Sequence, residues 1–209
     1  VTTFRFPDAQ GLADLAAYVR RAKVVDDDGA IRLQAAGTTL AGYVSVLPGA
    51  GLMGEGAVLG LRVMSLAEPA ELDTTVPLAG VLDRVARDQA ATELSVPPTT
   101  VRVPWAALSP PRSGWERVGV VSADELNAVA RQGISEVAEG APAEAGGHAV
   151  TALRRQVWAR ATATTPPVPA GGAFAAYVLG FSAPGAEVTV WTHGRWTRLS
   201  TPVGHVLVR

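Results

Sequence analysis

The chain contains no cysteine in 209 residues. That single absence removes disulfides, thiolate metal sites and a cysteine nucleophile together. Lysine and asparagine occur once each, as Lys23 and Asn127, and there are two isoleucines and three histidines. Against these stand 17 arginines, 37 alanines and 28 valines. Ala, Val, Gly, Pro and Arg have GC-rich codons, whereas Ile, Lys and Asn have AT-rich ones. The skew therefore belongs to genomic base composition, and the arginine excess does not by itself signal phosphate recognition.

Long hydrophobic runs are also missing. The longest charge-free stretch, 161–186, is broken by Pro166, Pro167, Pro169 and Pro184. Its apolar centre, Ala173–Phe181, is far short of the ~20 residues a spanning helix needs. The N-terminal residues have no continuous apolar segment of the signal-peptide kind. The expectation is a cytoplasmic protein without a membrane partner. Only 18% of residues are charged and 48% are hydrophobic, which argues against disorder.

The net charge of −1 is unevenly spread. Residues 1–100 carry 12 acids and 8 bases, residues 101–209 carry 7 acids and 10 bases, and after His148 only Glu187 is acidic against six arginines. Such a dipolar chain suits halves that dock or copies that associate.

Hydrophobic periodicity predicts two differently built halves of an α+β protein. In the first, Phe4 and Phe6 alternate in a short strand, and Asp8 caps a helix carrying Leu12, Leu15, Ala16 and Val19 on one face. Strands are expected over Ala30–Ala35, Thr38–Leu47 and Val58–Leu66, with a hairpin at Ala36-Gly37. A helix follows Pro77, and Leu94–Val103 reads as extended. The order β-α-β-β-β-α-β over residues 1–104 implies an antiparallel sheet with both helices on one face. A Pro-rich connector is expected at 105–114. Residues 115–209 read as a short strand and three helices followed by a β-meander. Ser122 and Glu125 form a capping box for the first of these helices. The last, Ala170–Leu179, is apolar nearly all round and hence a buried element. Strands at Glu187–Trp191 and Arg195–Leu199 would pair across Thr192-His193-Gly194, and Val203–Val208 closes the chain.

Two segments carry a resemblance: Ser109-Pro110-Pro111-Arg112-Ser113-Gly114-Trp115-Glu116, and the run from Gly194 to Leu207 that includes Arg195-Trp196-Thr197-Arg198-Leu199-Ser200. Together they resemble actinobacterial hypothetical proteins with two consecutive domains of unknown function, divided near residue 105. The resemblance implies the two-part division and brings no activity, cofactor or site residue.

Motifs for chemistry fail on context. Gly49-Ala50-Gly51-Leu52-Met53-Gly54 has the G-x-G-x-x-G spacing but is followed by a strand, so no helix N-terminus would hold a phosphate. Gly49, Gly51 and Gly54 read as a hairpin loop, with an anion loop or lid as the functional alternative. Asp26-Asp27-Asp28-Gly29 misses the EF-hand register, because the first and last loop positions would be Val24 and Ala35. His148, His193 and His205 have no ligand spacing for zinc. No G-x-S-x-G elbow exists, although a Ser/His/Asp triad dispersed in sequence stays open. Three helices before a hairpin follow the order of a winged helix-turn-helix. The third helix, however, has no Arg, Lys, Asn or Gln to read a base edge. The expectation is no cofactor, no metal and no nucleic acid.

What remains is the C-terminal hairpin. Trp191, His193, Arg195, Trp196, Arg198 and His205 form the candidate ligand-binding set. If the tryptophans face outward they make an aromatic-cationic surface; if inward they pack on the third helix, which their bulk favours. The reading is a non-catalytic binding or assembly module, a homodimer or the companion of a protein partner, since antiparallel sheet edges need covering. The alternative is a small-molecule enzyme or ligand sensor with a pocket between the halves, using Arg195, His193 or His205.

Overall fold

A computed structural model describes residues 2–51, 53–87, 91–140 and 147–209. The chain divides into two compact units, one comprising Val1–Val46 with Gly60–Ser109 and the other Leu47–Leu59 with Pro110–Arg209. The fold is α+β.

In the first unit, Asp8 caps helix α1 (Ala9–Val25), its carboxylate accepting from the Gly11 amide at 3.0 Å. Strands β2 (Ala30–Ala36) and β3 (Thr39–Leu47) form the expected hairpin, turning at Gly37 with φ 56°. Their alternation places Ile31 opposite Val44 and Ala35 opposite Leu40 on the buried face. Tyr18 of α1 rests on this face and donates to the Gly42 carbonyl at 3.3 Å. A Cβ on Gly42 would lie 3.2 Å from Ile31 Cδ1 of the neighbouring strand and 3.8 Å from Tyr18 Cε1 of the helix. The strand row is β5-β2-β3-β4, with β4 at Val58–Ser65 and β5 at Leu72–Pro77. Helix α2 (Leu78–Val85) buries Leu78, Val81 and Val85. Strand β1 (Thr3–Arg5) pairs apart from this row with β6 (Glu93–Ser95), burying Phe4 opposite Leu94.

Strand β5 departs from the sequence expectation, which placed no strand between residue 66 and Pro77. Leu-Asp-Thr-Thr-Val-Pro is too polar to show burial alternation. It is held instead by ladder pairing to β2 and by Asp73, which accepts from Arg32 Nε and Nη2 and from Gln34 Nε2 at 2.7–2.8 Å. This fork pairing raises the Arg32 pKa.

In the second unit, β7 (Glu116–Ser122) leads into α3 (Ala123–Gly140), followed by α4 (Gly147–Trp158) and α5 (Ala170–Val178). The capping box forms at α3: Ser122 Oγ accepts from the Asp124 amide at 3.1 Å, and Glu125 accepts from the Ser122 amide at 3.3 Å. The meander is β8 (Glu187–His193), β9 (Trp196–Thr201) and β10 (Gly204–Val208), in the row β10-β9-β8-β7. As expected, α5 is buried along almost its whole length. Its glycines are there for close approach: a Cβ on Gly171 would lie 2.9 Å from Leu47 Cδ1, and one on Gly172 3.1 Å from both Leu199 and Val208 side chains. The aromatic that packs on α5 is Trp158, stacked on Phe174 at 4.3 Å between ring centroids.

Candidate functional site

The register of the meander decides what its outer residues can do. The β8–β9 turn is tighter than the sequence suggested: His193 pairs with Trp196, leaving Gly194 (φ 56°) and Arg195 as a two-residue turn. Glycine takes that positive φ without the strain a side chain would add. A three-residue turn at Thr192–Gly194 would have set Trp191 against Arg195. The observed register sets Trp191 against Arg198, and Ser200 against both Thr189 and His205.

Partners directly opposite in an antiparallel ladder share a face. Leu199, Val190 and Val206 are mutual partners and buried, and Leu199 lies against α5. Trp191, His193, Trp196, Arg198, Ser200 and His205 therefore occupy the opposite face. The tryptophans of the hairpin do not pack on the third helix, contrary to the inward expectation. Trp196 is nevertheless buried, and Arg209 stands over its ring at 5.4 Å.

The centre of this face is Arg198. Its guanidinium lies 5.0 Å from the Trp191 ring centroid and 4.6 Å from that of Trp115, so an indole stands on each of two contacts. Each is a cation–π contact of ~0.5–2 kcal/mol according to its desolvation. Trp115 is positioned by its own segment, donating from Nε1 to the Pro111 carbonyl at 2.9 Å and meeting the His193 ring edge-on at 5.9 Å. Gly114, at φ 76°, leaves room for this: a Cβ there would lie 3.1 Å from the imidazole.

Two donors in the cluster, Arg198 Nε and Trp191 Nε1, are buried without a hydrogen-bond partner among the described residues. Neither Nη atom of Arg198 is buried and unpaired in this way, and no carboxylate pairs with Arg198 among the described residues. Burial lowers the pKa of Arg198, and burial followed by the Arg198 charge lowers that of His205. His205 Nδ1 is 2.9 Å from Ser200 Oγ. Among the described residues no acid orients this imidazole, so the pair lacks the third member of a hydrolytic triad. The arrangement presents a guanidinium edge of the kind that an anion pairs with.

The other sequence-derived residues lie apart from this centre. Arg195 projects from the turn, three-quarters exposed, and reaches Glu55 at only 3.8 Å. Gly49, Gly51 and Gly54 belong to a tight hairpin closed by paired hydrogen bonds between Ala50 and Glu55 at 2.8 and 2.9 Å. A Cβ on Gly49 would meet the Gly54 backbone at 2.7 Å, and Gly51 and Gly54 have φ 63° and 65°. Leu52 of that loop lies outside the described residues. Sequence reasoning missed Trp115 and Ser200. Trp115 reads as the start of a short strand just after the connector, and its place beside Arg198 is set by folding.

Among the described residues no helix is long and apolar enough to cross a membrane, and no group of three or more His, Asp or Glu gathers as for a metal ion. No curated protein sequence matches the chain. Solved structures do, at the level of fold. A putative DNA polymerase III β subunit from Eubacterium rectale matches at 8% identity with TM-score 0.60, covering 100% of this chain and 65% of its own. The DNA polymerase sliding clamp of Caulobacter crescentus matches at 13% identity, TM-score 0.57 and the same two coverages. The DNA polymerase III subunit β of Pseudomonas aeruginosa matches at 12% and 0.53, covering 100% and 64%. The chain thus spans about 64–65% of the length of the clamp proteins it resembles. Residues 110–209 match the domain of unknown function DUF8185. Through residues 1–107 the chain belongs to the family of the domain of unknown function DUF8010.

Proposed function

We propose that this protein is a cytoplasmic, non-catalytic assembly module that works as a homo-oligomer and serves as a platform for protein partners. The observation that carries the reading is the clamp fold extending over the whole chain. The proteins that share it are named as subunits and sliding clamps of a DNA polymerase, components of a larger assembly.

Supporting it, β7 ends its strand row, and Glu116, Arg117 and Val118 along it are exposed. An exposed strand edge offers unpaired amides and carbonyls to a second strand. The edge at β5 is less open, because the Val101 amide already donates to Thr75 at 2.9 Å. A protein partner is favoured over DNA on charge. Helix α1 has three bases against Asp14, but α3 has Asp124, Glu125, Glu136 and Glu139 against Arg131 alone. Such a helix repels a phosphate backbone.

Light scattering across a concentration series tests the assembly; a monomer mass at high micromolar concentration overturns it. Fluorescence anisotropy with a labelled 20-base-pair duplex at low salt tests the partner class. Salt-sensitive binding there would replace the protein-platform reading with a DNA-bound one.

A further inference from the structure

We propose that Arg198 is the receptor for a carboxylate side chain on an acidic segment of a partner protein, which approaches it on the face of β8 and β9 opposite α5. This goes beyond self-association and does not depend on it.

The argument starts from the guanidinium. Trp115 and Trp191 hold it at 4.6 and 5.0 Å, so contact with the rings is already made and little further freedom is lost on binding. Its Nε is buried, whereas its terminal Nη pair is neither buried nor bonded among the described residues. What the cluster presents is therefore the two-nitrogen end of the fork, the geometry that a carboxylate matches with two parallel hydrogen bonds.

The other charged residue of the Arg198 rung is positive, and Glu116 of β7 stands opposite Thr192, on the other face. Arg117 is the ladder partner of Trp191 and exposed, and Arg209 stands over Trp196. Glu187, the one acid of β8, is four residues from Trp191, roughly 13 Å at the rise of a strand. Arg32, Arg62 and Arg160 each pair with a carboxylate, of Asp73, Asp14 and Glu136 respectively. Arg198 instead stands against two aromatic rings, with no carboxylate pairing to it among the described residues.

The shape of the site selects the occupant. Small ligands take concave sites that enclose most of their surface. Here Thr189, Ser200 and His205 form one rung of the ladder, and Arg117, Trp191 and Arg198 form the next rung on the same face, which ends at the buried Leu207. An extended peptide meets such a row; a free acid would meet one residue of it. The two Nη atoms of Arg198 match the two oxygens of one carboxylate.

The probe is a terminally blocked hexaglutamate peptide, titrated in low salt while the Trp191 indole N–H resonance is followed by NMR, its assignment fixed by its loss in Trp191→Phe. The expected result is a saturable shift of that resonance. Arg198→Gln should weaken binding about tenfold or more, the scale of a lost hydrogen-bonded ion pair. Arg198→Lys should recover little, because an ammonium lacks the fork. If Arg198→Gln fails to fold, Trp115→Ala, which removes one ring contact, should still weaken binding severalfold. No shift at millimolar peptide overturns the proposal, as does full affinity in Arg198→Gln or in Trp115→Ala. Glutarate binding as tightly as hexaglutamate makes the occupant a small acid instead. A DNA duplex shifting the same resonance at lower concentration makes it a phosphate.

Discussion

Asn127 and Ser182 bond to each other twice. The Asn127 amide donates to the Ser182 carbonyl at 3.0 Å, and the Ser182 hydroxyl donates to Asn127 Oδ1 at 2.6 Å. Both residues are buried, and they join α3 to the chain that leaves α5. The chain's only asparagine is thus a structural tie inside the second unit. A buried amide in an Ala- and Val-rich core is retained because its partners satisfy it.

Asn127→Ala therefore leaves a buried hydroxyl and a carbonyl unpaired. Leaving such groups unsatisfied costs about 1–3 kcal/mol. Urea denaturation should show a lower midpoint with an unchanged slope. A midpoint equal to wild type would mean that solvent already satisfies both groups.

The second unit also depends on a glycine inside α3. A Cβ on Gly133 would lie 2.4 Å from Trp158 Cζ3 and 2.5 Å from Cη2. Alanine is the better helix former by ~1 kcal/mol, but forcing the indole aside costs about 1–3 kcal/mol. Gly133→Ala should lower the melting temperature. In a Trp158→Phe background, where those two ring atoms are absent, the same change should cost less or become stabilising. Equal losses in both backgrounds would place the strain elsewhere.

How far the sequence could be read follows from these cases. Elements with their own local signal were legible: the Asp8 cap, the Ser122–Glu125 box, the α1 stripe and the uniformly apolar α5. Strand β5 was not, because ladder pairing and the Arg32–Asp73 fork hold it, and both are long-range. The candidate site was half legible. Trp191, His193, Arg198 and His205 stand out as the few large polar or aromatic side chains of the C-terminal strands. Which of them meet depends on a turn shorter by one residue than composition suggests. Trp115, more than seventy positions away, enters only through folding.

His205 gives a pH dependence of defined sign. Burial and the nearby Arg198 charge hold its pKa below the ordinary 6.5. Its other polar neighbour is Ser200, and no acid offsets the arginine among the described residues. Between the lowered folded pKa and 6.5 the unfolded chain binds a proton that the folded one refuses. This contribution to stability is complete above that window and falls as pH drops through it. Thermal melts should show a loss below about pH 6.5 that is smaller in His205→Gln. An identical profile in that variant would assign the loss to other groups.

The last test bears on β7. Val118 is 49% exposed, at a bulge where the β7–β8 register shifts between Arg117 and Gly119. An apolar side chain half in water on an edge strand is a place for a second copy to bury surface. Lysine on an edge opposes such pairing, since its ammonium would have to be desolvated between strands. Val118 contributes little to the core of its own unit, so Val118→Lys should leave the melting temperature of the dilute chain within a few degrees of wild type. Its self-association, followed by light scattering or sedimentation, should weaken about tenfold or more, the equivalent of ~1.4 kcal/mol or more of contact. Undiminished assembly in Val118→Lys would move the contact from this edge to another surface. Because the substitution spares Arg198 and both indoles that hold it, hexaglutamate binding should persist in the dissociated chain, which separates the edge from the peptide face.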